Sequence, residues 1–256
     1  MEKVIAVLFF ILLGAALGSF FNVVASRSAS GRSWWGKERS RCPSCGHVLG
    51  WTDLFPLLSW IILKGRCRYC HEPIAVRYFT VEIFGAVIGG SLAARWGLTL
   101  PLLFALPAAF GLLLNALTDL EEGYVFDIFP LLMGGCGLLL RLFGGRDAMI
   151  DGVLGALAGF SVIAVIILIS RGGMGWGDAT LMAGTGSLLG WKFTLMTLYL
   201  GFMIGGVIVL LLLAARKVKR KDAIPLVPFL ALGGLFTLLA GPQILYFTGF
   251  APPWPW

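Results

Sequence analysis

Four of the five cysteines stand as Cys42-Pro-Ser-Cys45 and Cys67-Arg-Tyr-Cys70, with 21 residues between the pairs. Each Cys-x-x-Cys turn places two thiolates on one side of a tight loop. Two such turns complete a tetrahedron around zinc, with Zn–S near ~2.3 Å. Gly46, after the first pair, suits a turn whose backbone N–H groups point at sulfur. Four thiolates fill the shell and leave no position for a catalytic water, so the expected metal is structural. His47 and His71 flank the pairs, as replacement ligands or as surface groups. Cys136 lies in an apolar run and reads as a small buried residue.

The second group is acidic. Asp119 ends an apolar run in Asn115-Ala-Leu-Thr-Asp119-Leu-Glu-Glu-Gly123, and Asp178 follows the glycines of Arg171-Gly-Gly-Met-Gly-Trp-Gly-Asp178. Two carboxylates that converge can hydrolyse an amide. Like charges in contact share one proton: the ionised member takes a proton from the attacking water, and the protonated member donates to the carbonyl oxygen. Such a pair titrates as a unit. The plain alternative for Asp178 is an N-cap. At a helix C-terminus, however, Asp119, Glu121 and Glu122 oppose the helix dipole, so a cap does not explain them. Both histidines fall in the cysteine loop, which leaves no triad and no His-Glu-x-x-His site among the apolar runs. Asp127 precedes another apolar run, with Pro130 three residues on; it reads as a cap or as a direct participant. Glu82 lies near the start of its run and either lines the site or pairs with a base such as Arg77.

Apolar helices must position these residues. Hydrophobic residues make up 58% of the 256-residue chain and charged residues only 13%, whereas a soluble domain is about one quarter charged. A bilayer core requires roughly 20 apolar residues per helix. Apolar runs cover 3–25, 78–96, 100–118, 127–143, 148–170, 179–190, 193–215 and 225–247. The expected fold is an all-α polytopic membrane protein with about eight transmembrane helices, the seventh run short enough for a half-helix. A small zinc-binding loop domain, 26–77, separates the first helix, 1–25, from a core of about seven helices, 78–256. An acid in or near the bilayer is costly and becomes a functional candidate by default.

The basic residues give an orientation. Of the 20 Lys and Arg, nine lie in 27–77, one is Arg171 and five lie in 216–221; Lys3, Arg95, Arg141, Arg146 and Lys192 are the other five. The positive-inside bias places the zinc loop and both aspartates at the cytoplasmic face, with both termini outside. A reducing cytosol favours metal over disulfides, and the βαβ context of a redox Cys-x-x-Cys is missing. A cleaved signal at the start is opposed by the dense positive charge that follows it. Anchoring loops account for the net charge of +7 without nucleic acid.

On these residues the chain resembles the bacterial prepilin peptidases, membrane proteases of the Gly-x-Gly-Asp type. The matching stretches are Gly18-Ser-Phe-Phe-Asn-Val-Val24, the two cysteine pairs and Arg77-Tyr-Phe-Thr-Val-Glu82. Then come Asp119 with Asp127, Gly173-Met-Gly-Trp-Gly-Asp178, and Pro225-Leu-Val-Pro-Phe-Leu230. The resemblance implies aspartyl endopeptidase activity with Asp119 and Asp178 catalytic. Implied substrates are prepilins or pseudopilins, made for a type IV pilus or a type II secretion system, with a short basic leader ahead of an apolar helix. Many members also N-methylate the new terminus from S-adenosylmethionine. Glu121, Glu122, Glu82 and Asp127 are candidate substrate contacts, and the residues holding the methyl donor are unassigned. Phe126 replaces a usual proline, Thr180 a common lysine, and Leu226-Val227 a usual Phe-Gly.

Overall fold

A computed structural model describes residues 2–34, 39–170, 173–219, 222, 224–247 and 254. Among them every regular element is helical, and only two isolated β-bridges occur. Lys37, Arg171, Arg220 and Lys221, which entered the charge count, lie outside the described residues. The chain forms two compact units, Met1–Gly97 and Leu98–Trp256.

The first unit contains α1 (Glu2–Ala29), the cysteine loop with its short α2 (Leu58–Ile62), and α3 (Val76–Trp96). Helix α1 turns small residues inward, including Ala6, Gly14, Ala15 and Gly18, while Val4, Ile5, Leu8, Phe9 and Leu12 face outward. That pattern suits a helix in lipid, where apolar surface gains nothing from burial and small residues let backbones approach. The contact with α3 is such an approach: a Cβ on Gly14 would collide with the Gly85 carbonyl, and one on Gly85 with that of Gly14.

The second unit contains α4 (Leu100–Glu122), α5 (Ile128–Arg141), α6 (Gly145–Ile169), α7 (Trp176–Leu189), α8 (Trp191–Ala214) and α9 (Val227–Phe247). A 3-10 turn, Leu142–Gly144, joins α5 to α6, and Gly145 at φ 76° redirects the chain. Helix α4 starts with proline in its first turn and stops at Gly123, in the left-handed conformation that glycine adopts without penalty. Helix α7 is the hub, packing against α4, α5, α6 and α8. Its 14 residues, about 21 Å at 1.5 Å per residue, are mostly buried. It meets α6 through Gly186 against Gly155 and α5 through Gly184 against Pro130, in each case backbone against backbone.

Each of the eight apolar runs centres on a helix, α1 and α3 through α9, though 127–143 also takes in part of the 3-10 turn and 225–247 begins two residues before α9. Among the described residues six stretches are long and apolar enough to cross a membrane, and one of them, Ile128–Ile169, contains both α5 and α6. At 14 residues, α7 is not among them. Arg141, counted among the outer basic residues, is fully buried in the second unit, so its charge serves the interior rather than an interface.

Candidate active site and metal centre

In the first unit the two cysteine turns are built alike. The amide N–H of Gly46 donates to the carbonyl of Cys42 at 2.9 Å, and that of His71 to Cys67 at 3.0 Å. Short bridges, Arg41 to Val48 and Arg66 to Pro73, close the two turns. Gly46 and His71 occupy the same left-handed position, φ 69° and 60°. The four Sγ atoms lie within 4.8 Å of one another. Cys42 Sγ and Cys70 Sγ are 3.8 Å apart; a tetrahedron with Zn–S of ~2.3 Å has edges of about 3.8 Å. The donor set therefore fits a tetrahedral metal. The backbone position of His71 matches that of a turn glycine, and its neighbour in the first turn, His47, stacks on Tyr69 at 3.5 Å.

Glu82, on α3, does not stand as a boundary charge. It is buried, its Oε2 accepts the Leu57 N–H at 2.7 Å, and the Ser19 hydroxyl lies beside it. Leu57 sits at φ 63°, a strained conformation for leucine, and the carboxylate helps hold it there.

In the second unit Asp119 occupies the last turn of α4 and is only 7% exposed. Its Oδ2 accepts the N–H of Val227, the first residue of α9, at 3.1 Å. An unpaired amide at a helix N-terminus is a natural carboxylate partner. Asp178 is not a cap: Gly175 takes that position, and Asp178 lies two residues into α7. Packing of α4 against α7 brings the two carboxyls within electrostatic reach. Burial pushes the Asp178 carboxyl up to about 6, and the neighbouring Asp119 charge adds to the shift.

Asp127 takes the N-cap position of α5, but its side chain makes no cap hydrogen bond. Its Oδ1 lies 2.9 Å from Thr180 Oγ1, which is also 2.9 Å from the Gly177 carbonyl. Both partners are acceptors, so the hydroxyl shares its one proton between them. The cap reading gives way to a tie between the start of α5 and the turn of α7 that carries Asp178. Glu121 is half-buried and Glu122 exposed at the end of α4.

Two family models match in chain order. The Bacterial Peptidase A24 N-terminal domain covers residues 12–96, and the Type IV leader peptidase family covers 105–210. A prepilin leader peptidase/N-methyltransferase of Aeromonas hydrophila is 34% identical over 275 residues, spanning 93% of each chain. The chain belongs to the type IV leader peptidase family. A second similar member, from Pseudomonas aeruginosa, is 32% identical over 94% of this chain and 93% of its own. A third, from Myxococcus xanthus, is 38% identical over 81% of this chain and 63% of its own. No solved structure matches.

Two features of this leader peptidase family member escape a reading of the sequence alone. The hydrogen bond from the Val227 N–H to Asp119 joins residues 108 apart, and only the Pro225-Leu-Val-Pro stretch hinted at it. The buried Arg141 gave no hint, since a lone arginine near a helix end reads as an interfacial anchor.

Proposed function

We propose that this protein is an aspartyl endopeptidase of the cytoplasmic membrane. In this reading it removes the basic leader from type IV prepilins or pseudopilins and N-methylates the new terminus. The observation that carries the proposal is the meeting of Asp119 and Asp178 where α4 ends and α7 begins. Charge bias supports an orientation with that site and the zinc loop on the cytoplasmic side and both termini outside.

The substrate's apolar helix remains in the bilayer while its scissile amide reaches the dyad. Raised by burial and further by the neighbouring Asp119 charge, the Asp178 carboxyl keeps its proton to about pH 6. That proton goes to the carbonyl oxygen as the ionised partner deprotonates water; breakdown then passes a proton to the leaving amine. The Val227 N–H orients Asp119, and the Thr180–Asp127 contact braces the turn of Asp178. Zinc held by Cys42, Cys45, Cys67 and Cys70 is structural, with its shell filled by sulfur. S-adenosylmethionine supplies the methyl group when bound.

The test uses purified protein in lipid or detergent with several precursors and S-adenosylmethionine, the products being read by mass spectrometry. Leader loss and one added methyl are expected. Failure to cut any precursor would overturn the protease reading, and cutting without methyl gain would remove its second half.

Two further outcomes are expected. Metal analysis should find one zinc per chain, and Cys67→Ser, which removes a buried ligand, should reduce this to nearly none. Full zinc retention in that variant would refute the four-sulfur site. Glu121→Gln with Glu122→Gln should slow processing several-fold for leaders rich in Lys and Arg, and added salt should erase the difference. Equal rates on basic and neutral leaders would show that these acids do not attract the leader.

A further inference from the structure

Between Asp53 and Lys64 the cysteine loop runs for ten residues, 54–63, without a charge, and α2 lies inside that stretch. An apolar segment of about 10–14 residues is too short to span a bilayer and suits either a core helix or a re-entrant segment. The core is excluded here, because α2 buries none of its residues. Leu54, Phe55, Leu58, Ile61 and Ile62 are all exposed, Ile62 by 71%. The segment does not stand off the end of the helices. The Leu57 N–H reaches Glu82 at 2.7 Å, and Trp60 stacks on Phe79 with centroids 4.4 Å apart. Phe79 and Glu82 are three and six residues into α3, or roughly 4.5 and 9 Å along its axis. The segment therefore lies beside the first two turns of a helix long and apolar enough to cross a membrane. One turn further in, that helix turns Ile83, Phe84 and Val87 outward.

We propose that residues 54–63 form a re-entrant anchor, inserted among the acyl chains of the leaflet in which α3 begins. The backbone meets the condition that lipid imposes, since hydrocarbon offers no hydrogen-bond acceptor. The N–H groups of Leu57, Leu58, Ser59, Ile61 and Leu63 all donate to acceptors within the unit. Left-handed residues turn the chain in and out: Leu57 at φ 63°, then Lys64 and Gly65 at 51° and 68°. The flanks suit the interface. Trp51 is 80% exposed ahead of the segment, and its ring is of the kind that settles at headgroup level. Lys64 and Arg66 are exposed just after it, where anionic headgroups attract them. The ion pair of Asp53 with Arg68, at 2.6 Å, joins the start of the anchor to the second cysteine turn. The anchor thereby ties the sulfur cluster to the membrane surface.

The test places the full wild-type chain in nanodiscs containing a phospholipid with a diazirine in its acyl chain. After illumination, labelled peptides are mapped by mass spectrometry. Label is expected in 54–63 as well as at Ile83, Phe84 and Val87, the internal standard, and not in 43–46, the exposed tip of the first cysteine turn. Ile61→Asp with Ile62→Asp changes two exposed side chains and should cut the label in 54–63 about tenfold, because each carboxylate resists transfer into hydrocarbon. The standard on α3 and the zinc content should stay as in the wild type. Wild-type label on α3 with none in 54–63 overturns the anchor, and so does undiminished label in the double variant. Label in 54–63 that an added prepilin displaces would assign this surface to the apolar helix of the substrate, and overturns it too. The wild-type pattern needs no variant to fold.

Discussion

Replacing Asp178 by asparagine is expected to abolish leader removal while raising the thermal midpoint of the protein. General acid–base participation contributes ~10²–10⁴ to a rate, so loss of at least a hundredfold is expected in Asp178→Asn and in Asp119→Asn. Stability moves the other way. The Asp178 carboxyl rises from 3.8 to about 6 on folding, a penalty of at most about 3 kcal/mol in the ionised native state. Against it stands the attraction of a negative charge to the N-terminal turn of α7, about 0.3–1 kcal/mol. Desolvation wins, and the asparagine variant gains about 1–2 kcal/mol, or several degrees.

The sign fixes the pH range. With the folded value raised, the penalty is fully present above about 6, shrinks as pH falls towards 3.8, and vanishes below it. The midpoints of wild type and Asp178→Asn should therefore differ most at pH 7–8 and converge near pH 4. The same proton gives kcat/KM a basic limb beginning near pH 6. An asparagine variant that is both inactive and less stable at neutral pH would point to a structural aspartate and overturn the dyad.

The second large effect is at Arg141, which is fully buried. Its Nε donates to the Ser187 carbonyl at 2.6 Å, Nη2 to Leu188 at 3.1 Å, and Nη1 to Ala148 and to Asp151 Oδ2, each at 2.8 Å. Its guanidinium also lies 5.6 Å from the Phe104 ring centroid. The arginine thus neutralises the negative end of α7, the helix whose other end carries Asp178. Arg141→Met leaves those carbonyls and the Asp151 charge uncompensated, at about 3–5 kcal/mol. Arg141→Lys should rescue only part of this, because an ammonium cannot reproduce the planar fork. Thermal unfolding in one detergent checks both; a midpoint within a degree of wild type for Arg141→Met would refute the clamp.

The helices were legible because lipid requires long apolar runs, and glycine stops at Gly97, Gly123 and Gly190 mark their ends. The short α2 was not, since five residues inside an aromatic loop have no period to read. Cysteine spacing forecast the sulfur cluster because two tight turns have little geometric freedom. Convergence of Asp119 with Asp178 could be anticipated from helices returning to one face. The partners of Asp119, Asp127 and Arg141 were not legible. Those of Asp119 and Asp127, and the Ser187 and Leu188 carbonyls that Arg141 meets, are backbone or hydroxyl groups supplied by a helix distant in sequence, and such groups leave no signature in residue type.

The glycine contacts of α7 carry a genetic consequence. At Gly155, Gly184 and Gly186 the space for a first carbon is already taken by the backbone of a neighbouring helix, which cannot swing aside as a side chain can. Every missense change at a glycine codon adds that carbon. In a saturation library these positions should appear as empty columns, closed even to alanine, while the lipid-facing leucines nearby accept almost any apolar letter.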